Sequence, residues 1–509
     1  RIWRNRRQPF QRLYQQLLRG KEISVRAQQR EHILLSLSGL VTKRSGKWVV
    51  KNPIYRTIFT PSWFQQSLKR LPAVSPDANG MRWQSLSDGE SPTAASNHAT
   101  LTRRGLWATV AAVSLLTTAT VLMFRTVGLL QSWELQAFDR LMQLRPPEAP
   151  DSRLLLIEVT EADVQAQPID ERGAASLSDE TLERLLQKLL AAQPRTIGLD
   201  IYREQALEIS DGQLAVWMQS SPHFFAICKY GDSGVPPPPG IALENHGFNN
   251  VLEDADGKIR RYPLAVSNAE PCANAYSLSW LLAADYLSAE DISFQVSQEG
   301  YLQLGEQIFK PLDQQAGGYQ KIDARGHQIM INYRAVRQIA DTMTLGAFLS
   351  GSIDEQRISD RLVLIGTSAP SFNDHRWQTP LHRSNQIDTL LNGVEVQAHL
   401  VSQLLSATLD QRPLIWTWPL AVDGLWIFAW SLAGSSLIVG IRTHRYGTIV
   451  VIVASGVLLI CCWGLLLLGG WIPLVPSFIC LFGSSVATRW SLVAIARTQN
   501  RHGREDGST

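Results

Sequence analysis

Long apolar stretches in the first and last quarters of the chain predict four membrane-spanning helices. Segments 106–124 and 446–488 contain no charged residue, and the second is about twice the length of one crossing. It divides at Gly469, and another apolar segment with a single charge, Asp423, precedes it. A buried core helix is the alternative for each stretch, most of all for the first, which is short and rich in threonine. The predicted spans are 104–126, 413–441, 447–468 and 471–489.

Between the first and second spans, the pattern is that of a mixed α/β domain. Five runs of β-branched and other apolar residues predict strands that are covered on both faces. Amphipathic segments predict helices at 178–194, 273–287 and 392–409. Strand, helix and strand in succession form a βαβ unit, which favours a partly parallel sheet. The predicted strands are 153–160, 195–202, 223–230, 327–334 and 361–368.

The amino-terminal pattern predicts a small separate module at 1–74. The predicted order is a helix, a second helix, a two-stranded wing that turns at Ser45-Gly46, and a third helix. A segment rich in Ser, Pro, Asn and Ala, 75–103, predicts a flexible linker. The predicted fold class is therefore an α/β domain (127–412) with four transmembrane helices, a winged-helix-like module and a tail at 490–509.

Charge is distributed unevenly, and its distribution predicts the orientation in the membrane. The net charge is +3 overall, but it is +14 over 1–74 and −15 over 131–412. Basic residues precede the first span, fill the loop at 442–445 and recur in the tail, whereas Arg125 alone lies on the other side. By the positive-inside rule, both termini are cytoplasmic and the acidic domain faces outward. We therefore expect a multi-pass protein of the plasma (inner) membrane.

Polar residues in and after the predicted strands are candidates for ligand contact rather than catalysis. The segment 361–381 offers Ser368, Asp374 and His375, but it lacks a G-x-S-x-G elbow and a phosphate loop. No enzymatic activity, cofactor or metal is expected. Ion pairs within the acidic domain are the alternative for the arginines. The candidate ligand-binding residues are Asp200, Tyr202, Arg203, Arg260, Arg334, Thr367 and Asp374.

Cys228 and Cys272 are the only cysteines of the predicted outer domain. An oxidising compartment permits a disulfide between them. Two buried thiols are the alternative, because sequence alone does not fix the geometry of a bond.

Six segments follow one another between residues 132 and 405: SWELQAFDRLMQLRPPE, TIGLDIYRE, GFNNVLEDADGKIRRYPL, MINYR, DRLVLIGTSAPSFNDHRWQTP and GVEVQAHLVSQLL. In this order they resemble a CHASE domain of the second type, a sensory extracellular domain associated with cyclases and histidine kinases. The three late spans resemble the membrane block that follows it. The amino-terminal segments LSGLV and NPIYRTIF resemble the closing portion of AAA-like regions in cyanobacterial signalling proteins.

The resemblance implies a membrane receptor that detects an extracytoplasmic signal and transmits it through its spans. Its expected partners are the lipid bilayer, an unknown extracytoplasmic ligand, a cytoplasmic signalling protein and a second copy of the chain. The alternative function is a membrane-bound DNA-binding regulator with a mainly structural outer domain, although nucleic acid is not the favoured partner. The chain begins with Arg rather than Met, as a fragment of a longer protein would.

Overall fold

A computed structural model describes ten segments of the chain, which falls into two units, Arg1–Ser96 and Asn97–Thr509. The smaller unit contains an antiparallel sheet of strands β1 (Ile23–Ser24), β2 (Val41–Arg44) and β3 (Lys47–Val50). Strands β2 and β3 pair where the wing is predicted, and the predicted helices of this module lie outside the described residues. The described segments are 23–24, 41–44, 47–50, 103–169, 175–205, 211–351, 355–372, 376–382, 390–440 and 444–505.

The larger unit combines the α/β domain predicted at 127–412, named the outer domain after its predicted orientation, with the long apolar helices. Its helices are α1 Arg103–Thr126, α2 Gln131–Gln143, α3 Glu161–Gln165, α4 Asp179–Ala191, α5 Gly212–Ser220, α6 Leu278–Ser288, α7 Leu345–Ser350, α8 Gly393–Leu409, α9 Leu420–Gly440, α10 His444–Leu467 and α11 Val475–Glu505. Its strands are β4 Leu154–Val159, β5 Thr196–Asp200, β6 Phe224–Cys228, β7 His246–Phe248, β8 Leu252–Glu253, β9 Ile259–Ala265, β10 Phe294–Val296, β11 Leu302–Leu304, β12 Gln307–Phe309, β13 His327–Met330, β14 Asp341–Thr344, β15 Leu362–Thr367, β16 Trp416–Thr417 and β17 Gly470–Trp471.

A six-stranded parallel sheet forms the centre of the outer domain. Its strand order is β14-β4-β15-β5-β6-β7, and every neighbouring pair is parallel. Alternate side chains of a strand face opposite sides, so Leu154 and Leu156 enter one core while Leu155 and Ile157 enter the other. Helices α4, α5 and α7 cover one face, and α6 and α8 cover the other. The predicted α/β fold is confirmed.

One predicted strand belongs to a different sheet. Segment 327–334 forms only the short strand β13, which pairs antiparallel with β9 in a separate three-stranded sheet. Its apolar residues are buried because Met330 and Ile331 pack into the core that also contains α8. Conversely, β14 was not predicted, because its sequence, DTMT, is short and largely polar.

Among the described segments, four helices are long and apolar enough to cross a membrane: Arg104–Thr126, Leu420–Gly440, Tyr446–Leu467 and Val475–Ile495. The second begins seven residues later than the predicted 413, and the fourth begins four residues later than the predicted 471. The reason is common to both: Trp416–Thr417 and Gly470–Trp471 pair as β16 and β17, so they are extended rather than helical. The predicted tail is helical as far as Glu505.

Small residues bring the apolar helices α1, α9 and α11 close together. The hydroxyl of Ser114 donates to that of Ser435 over 3.0 Å, and Ser484 donates to the carbonyl of Ser431 over 2.7 Å. A Cβ atom on Gly434 would lie 2.2 Å from the carbonyl oxygen of Leu481, so only glycine allows this approach. Such contacts between small residues are typical of helix packing in membranes.

The loop between α10 and α11 contacts the outer domain. Trp471 is buried there, with its ring centroid 4.8 Å from that of Phe138 and 5.5 Å from that of Tyr319. Gly317 and Gly318 lie against its indole ring so closely that a Cβ atom on either would approach within 3 Å. The loop and the outer domain therefore lie on the same side of the four helices.

Cys228 and Cys272 have the geometry of a disulfide. Their Cα atoms are 5.4 Å apart, which is within the range of natural disulfides, and both side chains are buried. The bond itself remains a prediction.

We expect non-reducing mass spectrometry of the purified protein to find one linked peptide pair that contains Cys228 and Cys272. The two positions are 44 residues apart, so replacement of both by Ser should lower the free energy of unfolding by about 4 kcal/mol on the loop-entropy account. Replacement of Cys461 by Ser is the matched control. Alkylation of Cys228 and Cys272 in the denatured, unreduced protein, which would give five alkylatable thiols instead of three, would contradict the prediction.

Candidate ligand pocket

A pocket of about 420 Å³ opens at the carboxyl-terminal edge of the parallel sheet. Strands β5 and β15 are neighbours, but β5 leads to α5 on one face whereas β15 leads to α8 on the other. Such a switch point leaves a crevice beyond the strand ends, where ligands bind in open α/β sheets. The pocket is lined by residues from the ends of β5, β6, β7 and β15 and from the amino-terminal turn of α8.

A short chain of hydrogen bonds fixes the polar end of the pocket. The side-chain amide of Asn249 donates to Oδ1 of Asp200 over 3.0 Å. Its amide oxygen accepts from the Tyr202 hydroxyl over 2.6 Å. An ionised carboxylate can only accept, so Asn249 must direct its NH₂ group at Asp200 and its oxygen at Tyr202.

Burial raises the pKa of Asp200 to about 6, and the hydrogen bond from Asn249 opposes the rise. Asp200 is 9% exposed, and its carboxyl group forms no ion pair with any cation in the described part of the chain. The nearby Tyr202 and Tyr262 do not supply a charge, because burial raises the pKa of both phenols. A buried carboxylate with one neutral partner is incompletely compensated, which is typical of binding sites.

Other polar and apolar groups complete the lining. Lys229 is partly buried, and its ammonium group makes no hydrogen bond or ion pair with the described residues. The buried hydroxyl of Ser176 likewise has no partner among them. Phe372 and Trp377 supply aromatic surface. On α8, Gln397 donates to the backbone oxygen of Asn249 over 3.4 Å, which connects that helix to the polar end.

The structure brings three of the predicted site residues into one pocket: Asp200, Tyr202 and Thr367. The hydroxyl of Thr367 is used locally, since it accepts from the backbone N–H of Ala369 and donates to the carbonyl of Val159. Asp374 lies outside the described residues. Ligand binding by these residues stays a prediction.

The three predicted arginines do not line this pocket, because internal partners hold each of them. Arg203 pairs with Asp179 at 2.7 Å. Arg334 contacts Asp151 and donates to Ser406 of α8 over 2.7 Å. Arg260 is fully buried and contacts three carboxylates at 2.6 to 2.8 Å: Asp139, Asp254 and Asp256.

Sequence reasoning missed Asn249, Lys229, Gln397 and Ser176. Lys229 is the second-last residue of the predicted strand 223–230 and directly follows the observed β6, so the strand-end rule could have included it. Asn249 follows a strand of only three residues, and Gln397 lies inside a predicted helix. Neither has a local signal that marks it as part of a site.

A wider groove of about 830 Å³ is a weaker candidate. It lies where the outer domain meets the start of α9, and its walls include Trp416, Trp418 and Leu420. Tryptophans at this position are typical of the bilayer surface. In contrast to the sheet-edge pocket, it has no buried carboxylate. The described residues contain no group of three His, Cys, Asp or Glu side chains that could hold a metal ion.

A family model for the CHASE2 domain matches residues 115–436. The chain therefore belongs to the CHASE2 family, whose domains are extracellular sensor domains. The match does not reach the first 114 residues, so it gives no support to the AAA-like resemblance of the amino-terminal module. Searches of curated proteins and of solved structures found no match.

Asp200→Asn should stabilise the protein at alkaline pH. The carboxyl pKa rises from an ordinary 3.8 to about 6 in the folded protein, so above pH 6 the folded state keeps the full penalty of a buried charge. Below pH 3.8 both states are neutral and the penalty disappears. We expect a gain of up to about 3 kcal/mol at high pH that shrinks as the pH falls through 6.

Thermal unfolding of the purified protein at about pH 8 and pH 5 measures this difference. Asp232→Asn is the matched control, because Asp232 is exposed. A destabilised Asp200→Asn protein at the higher pH would show that the carboxylate has a structural partner.

Proposed function

We propose that the chain is a membrane-anchored sensor in which ligand binding at the sheet-edge pocket moves α8 relative to the membrane helices. The observation that supports this most is the position of α8. Its first turn lines the pocket, and 13 of its 17 residues are buried. At 1.5 Å per residue, the helix carries a displacement about 25 Å toward the membrane side.

Polar contacts hold α8 along its length. Gln403 accepts from the backbone N–H of Asn332 over 2.7 Å, and its amide donates to the carbonyl of Met330 over 3.0 Å. Ser402 donates to Asp151 over 2.7 Å, and Ser406 accepts from Arg153 and Arg334. These contacts favour movement of α8 as one body with discrete resting positions over gradual deformation.

The connection from α8 to the second span is short and well anchored. Arg412 contacts Glu148 over 2.9 Å and donates to the carbonyl of Asn332 over 2.8 Å. The amide of Asn332 donates to the carbonyl of Pro413 over 2.7 Å. Pairing of β16 with β17 then joins the entry of α9 to the loop before α11. A shift of α8 thus has a direct route to two of the spans.

A buried charge cluster at the junction extends the route to the first span. Arg125, at the end of α1, pairs with Asp423 of α9 and donates to the carbonyl of Gly317 in the outer domain over 2.8 Å. Glu134 accepts from the backbone N–H groups of Leu474 and Val475 over 2.9 and 2.8 Å. The cluster therefore links the outer domain with the ends of three spans.

The proposal also includes the orientation of the chain in the membrane and the route of its output. The outer domain is extracytoplasmic, the termini lie in the cytoplasm of a plasma (inner) membrane protein, and the output passes through the basic module or a signalling partner. The net +14 of residues 1–74 supports contact with an acidic partner. A Cys228–Cys272 disulfide trapped in intact cells would support the orientation, whereas a reduced pair would contradict it. Specific DNA footprinting by residues 1–72 would favour the DNA-binding alternative.

Cross-linking between two spans tests the coupling without a known ligand, because a pocket variant also shifts the populations of pre-existing states. Ser114→Cys and Ser435→Cys would report the contact between α1 and α9 in a background without Cys461, Cys462 and Cys480. We expect Gln397→Ala to change the oxidation rate about twofold or more, a shift of about 0.4 kcal/mol.

Lys188→Ala is the matched control for that experiment. Its ammonium group also donates to backbone carbonyls, those of Phe348, Leu349 and Gly351, but on the face of the sheet away from α8. Equal rates in the parent and both variants would mean that the spans only anchor the domain.

Removal of only one member of the Arg125–Asp423 ion pair should destabilise the protein. Asp423→Leu leaves the Arg125 guanidinium buried without its counter-ion, and we expect it to lower the free energy of unfolding by about 3–5 kcal/mol. The double variant Arg125→Met, Asp423→Leu removes both charges and should recover most of this loss. Thermal unfolding in detergent measures both. A double variant as unstable as the single one would show that the charge pair is not the source of the effect.

A further inference from the structure

The sheet-edge pocket has a polar end composed of hydrogen-bond acceptors. The side-chain amide of Asn249 donates to one carboxylate oxygen of Asp200, and the second oxygen has no hydrogen-bond partner in the described part of the chain. The Tyr202 hydroxyl gives its proton to Asn249, so toward the pocket it can only accept. Two acceptors, one of them charged, fit a ligand group that is cationic and donates hydrogen bonds.

A basic residue, Lys229, also lines the pocket, and no described residue pairs with its ammonium group. Lys229 and Asp200 both line it, yet they form no ion pair with each other, so their charged atoms lie more than 4.0 Å apart. Aromatic surface from Phe372 and Trp377 completes the lining. Separate opposite charges on an aromatic pocket are complementary to a molecule with its own separated charges and an apolar side group.

We propose that the pocket binds a small zwitterion of amino-acid type, with its ammonium group at Asp200 and Tyr202 and its carboxylate at Lys229. A volume of about 420 Å³ suits a molecule of this size. The buried hydroxyl of Ser176, which lacks a partner among the described residues, is a further polar contact for it. A neutral sugar would also find amides and aromatic rings here, but it would leave both charges uncompensated. This inference rests on the proposed function and specifies the ligand class of the same pocket.

Calorimetric titration of the full-length chain in nanodiscs tests the proposal with three related probes. L-phenylalanine carries both charges, phenethylamine lacks the carboxylate and phenylacetate lacks the amine. We expect L-phenylalanine to bind, phenethylamine to bind about tenfold more weakly and phenylacetate not to bind at about 1 mM. D-glucose is the neutral comparison and should not bind.

Two variants assign the contacts. Asp200→Asn should weaken L-phenylalanine binding at least about tenfold without loss of thermal stability. Lys229→Gln should remove the difference between L-phenylalanine and phenethylamine. Asp232→Asn, at an exposed position outside the pocket, should bind like the parent protein. Absence of binding by both amines, equal binding of phenylacetate and L-phenylalanine, or unchanged affinity in Asp200→Asn would overturn the proposal.

Failure of the ligand class is distinguishable from failure of the sensor function. If the amines do not bind but Gln397→Ala still alters cross-linking of α1 to α9, the coupling stands and the ligand class is wrong. If L-phenylalanine binds through Asp200 and neither ligand nor variant alters the cross-linking, the ligand class stands and the sensor function is wrong.

Discussion

The buried ion pair between Arg125 and Asp423 sets how the outer domain meets the membrane helices. It joins the end of α1 to α9, and the same guanidinium donates to Gly317 of the outer domain. The arrangement is not fully satisfied, since Nη1 of Arg125 and Oδ1 of Asp423 have no partner in the described part of the chain. Charges in a low-dielectric region are stabilised only by close partners. The pair therefore has little tolerance for displacement, and a small relative movement of the two helices has a large energetic consequence.

Glu134 adds a second constraint at the same level. Burial raises its pKa to about 7, although the backbone N–H groups of Leu474 and Val475 favour the ionised form. Those two donors lie at the amino-terminal end of α11, where a negative charge is stabilised by the helix dipole. The Glu134 carboxylate of the outer domain thus binds the start of the fourth span. The Arg125–Asp423 pair joins the first and second spans in the same region. The tryptophan of β17, inserted between Phe138 and Tyr319, fixes the same loop by apolar packing.

Local patterns in the sequence are sufficient for four strands of the parallel sheet, β4, β5, β6 and β15, and for part of the pocket. Apolar runs mark the strands, and the rule that ligands bind beyond strand ends selects Asp200, Tyr202 and Thr367. The same reasoning fails for Asn249, which reaches Asp200 from 49 positions away. It also fails at the span boundaries, because hydropathy does not detect the pairing of Trp416 with Gly470. In each case the deciding contact joins residues that are distant in sequence, and nothing in their immediate neighbours specifies it.

The outer domain buries two kinds of charge, and the difference separates structural groups from the pocket. Arg260 is fully buried, but Asp139, Asp254 and Asp256 surround its guanidinium, so its charge is compensated within the fold. The sequence leaves Arg260 as either a ligand contact or a member of an internal ion pair. Asp254 and Asp256 lie six and four positions before it, whereas Asp139 reaches it from 121 positions away. Asp200 is nearly as buried, yet its one hydrogen-bond partner among the described residues is a neutral amide, and Lys229, which lines the same pocket, does not pair with it. A fold that can place three carboxylates around one arginine could also place a cation against Asp200. Within the described residues it does not do so, at the switch point of the sheet and beside the first turn of α8, and this is the physical basis for the proposal that the carboxylate contacts a ligand.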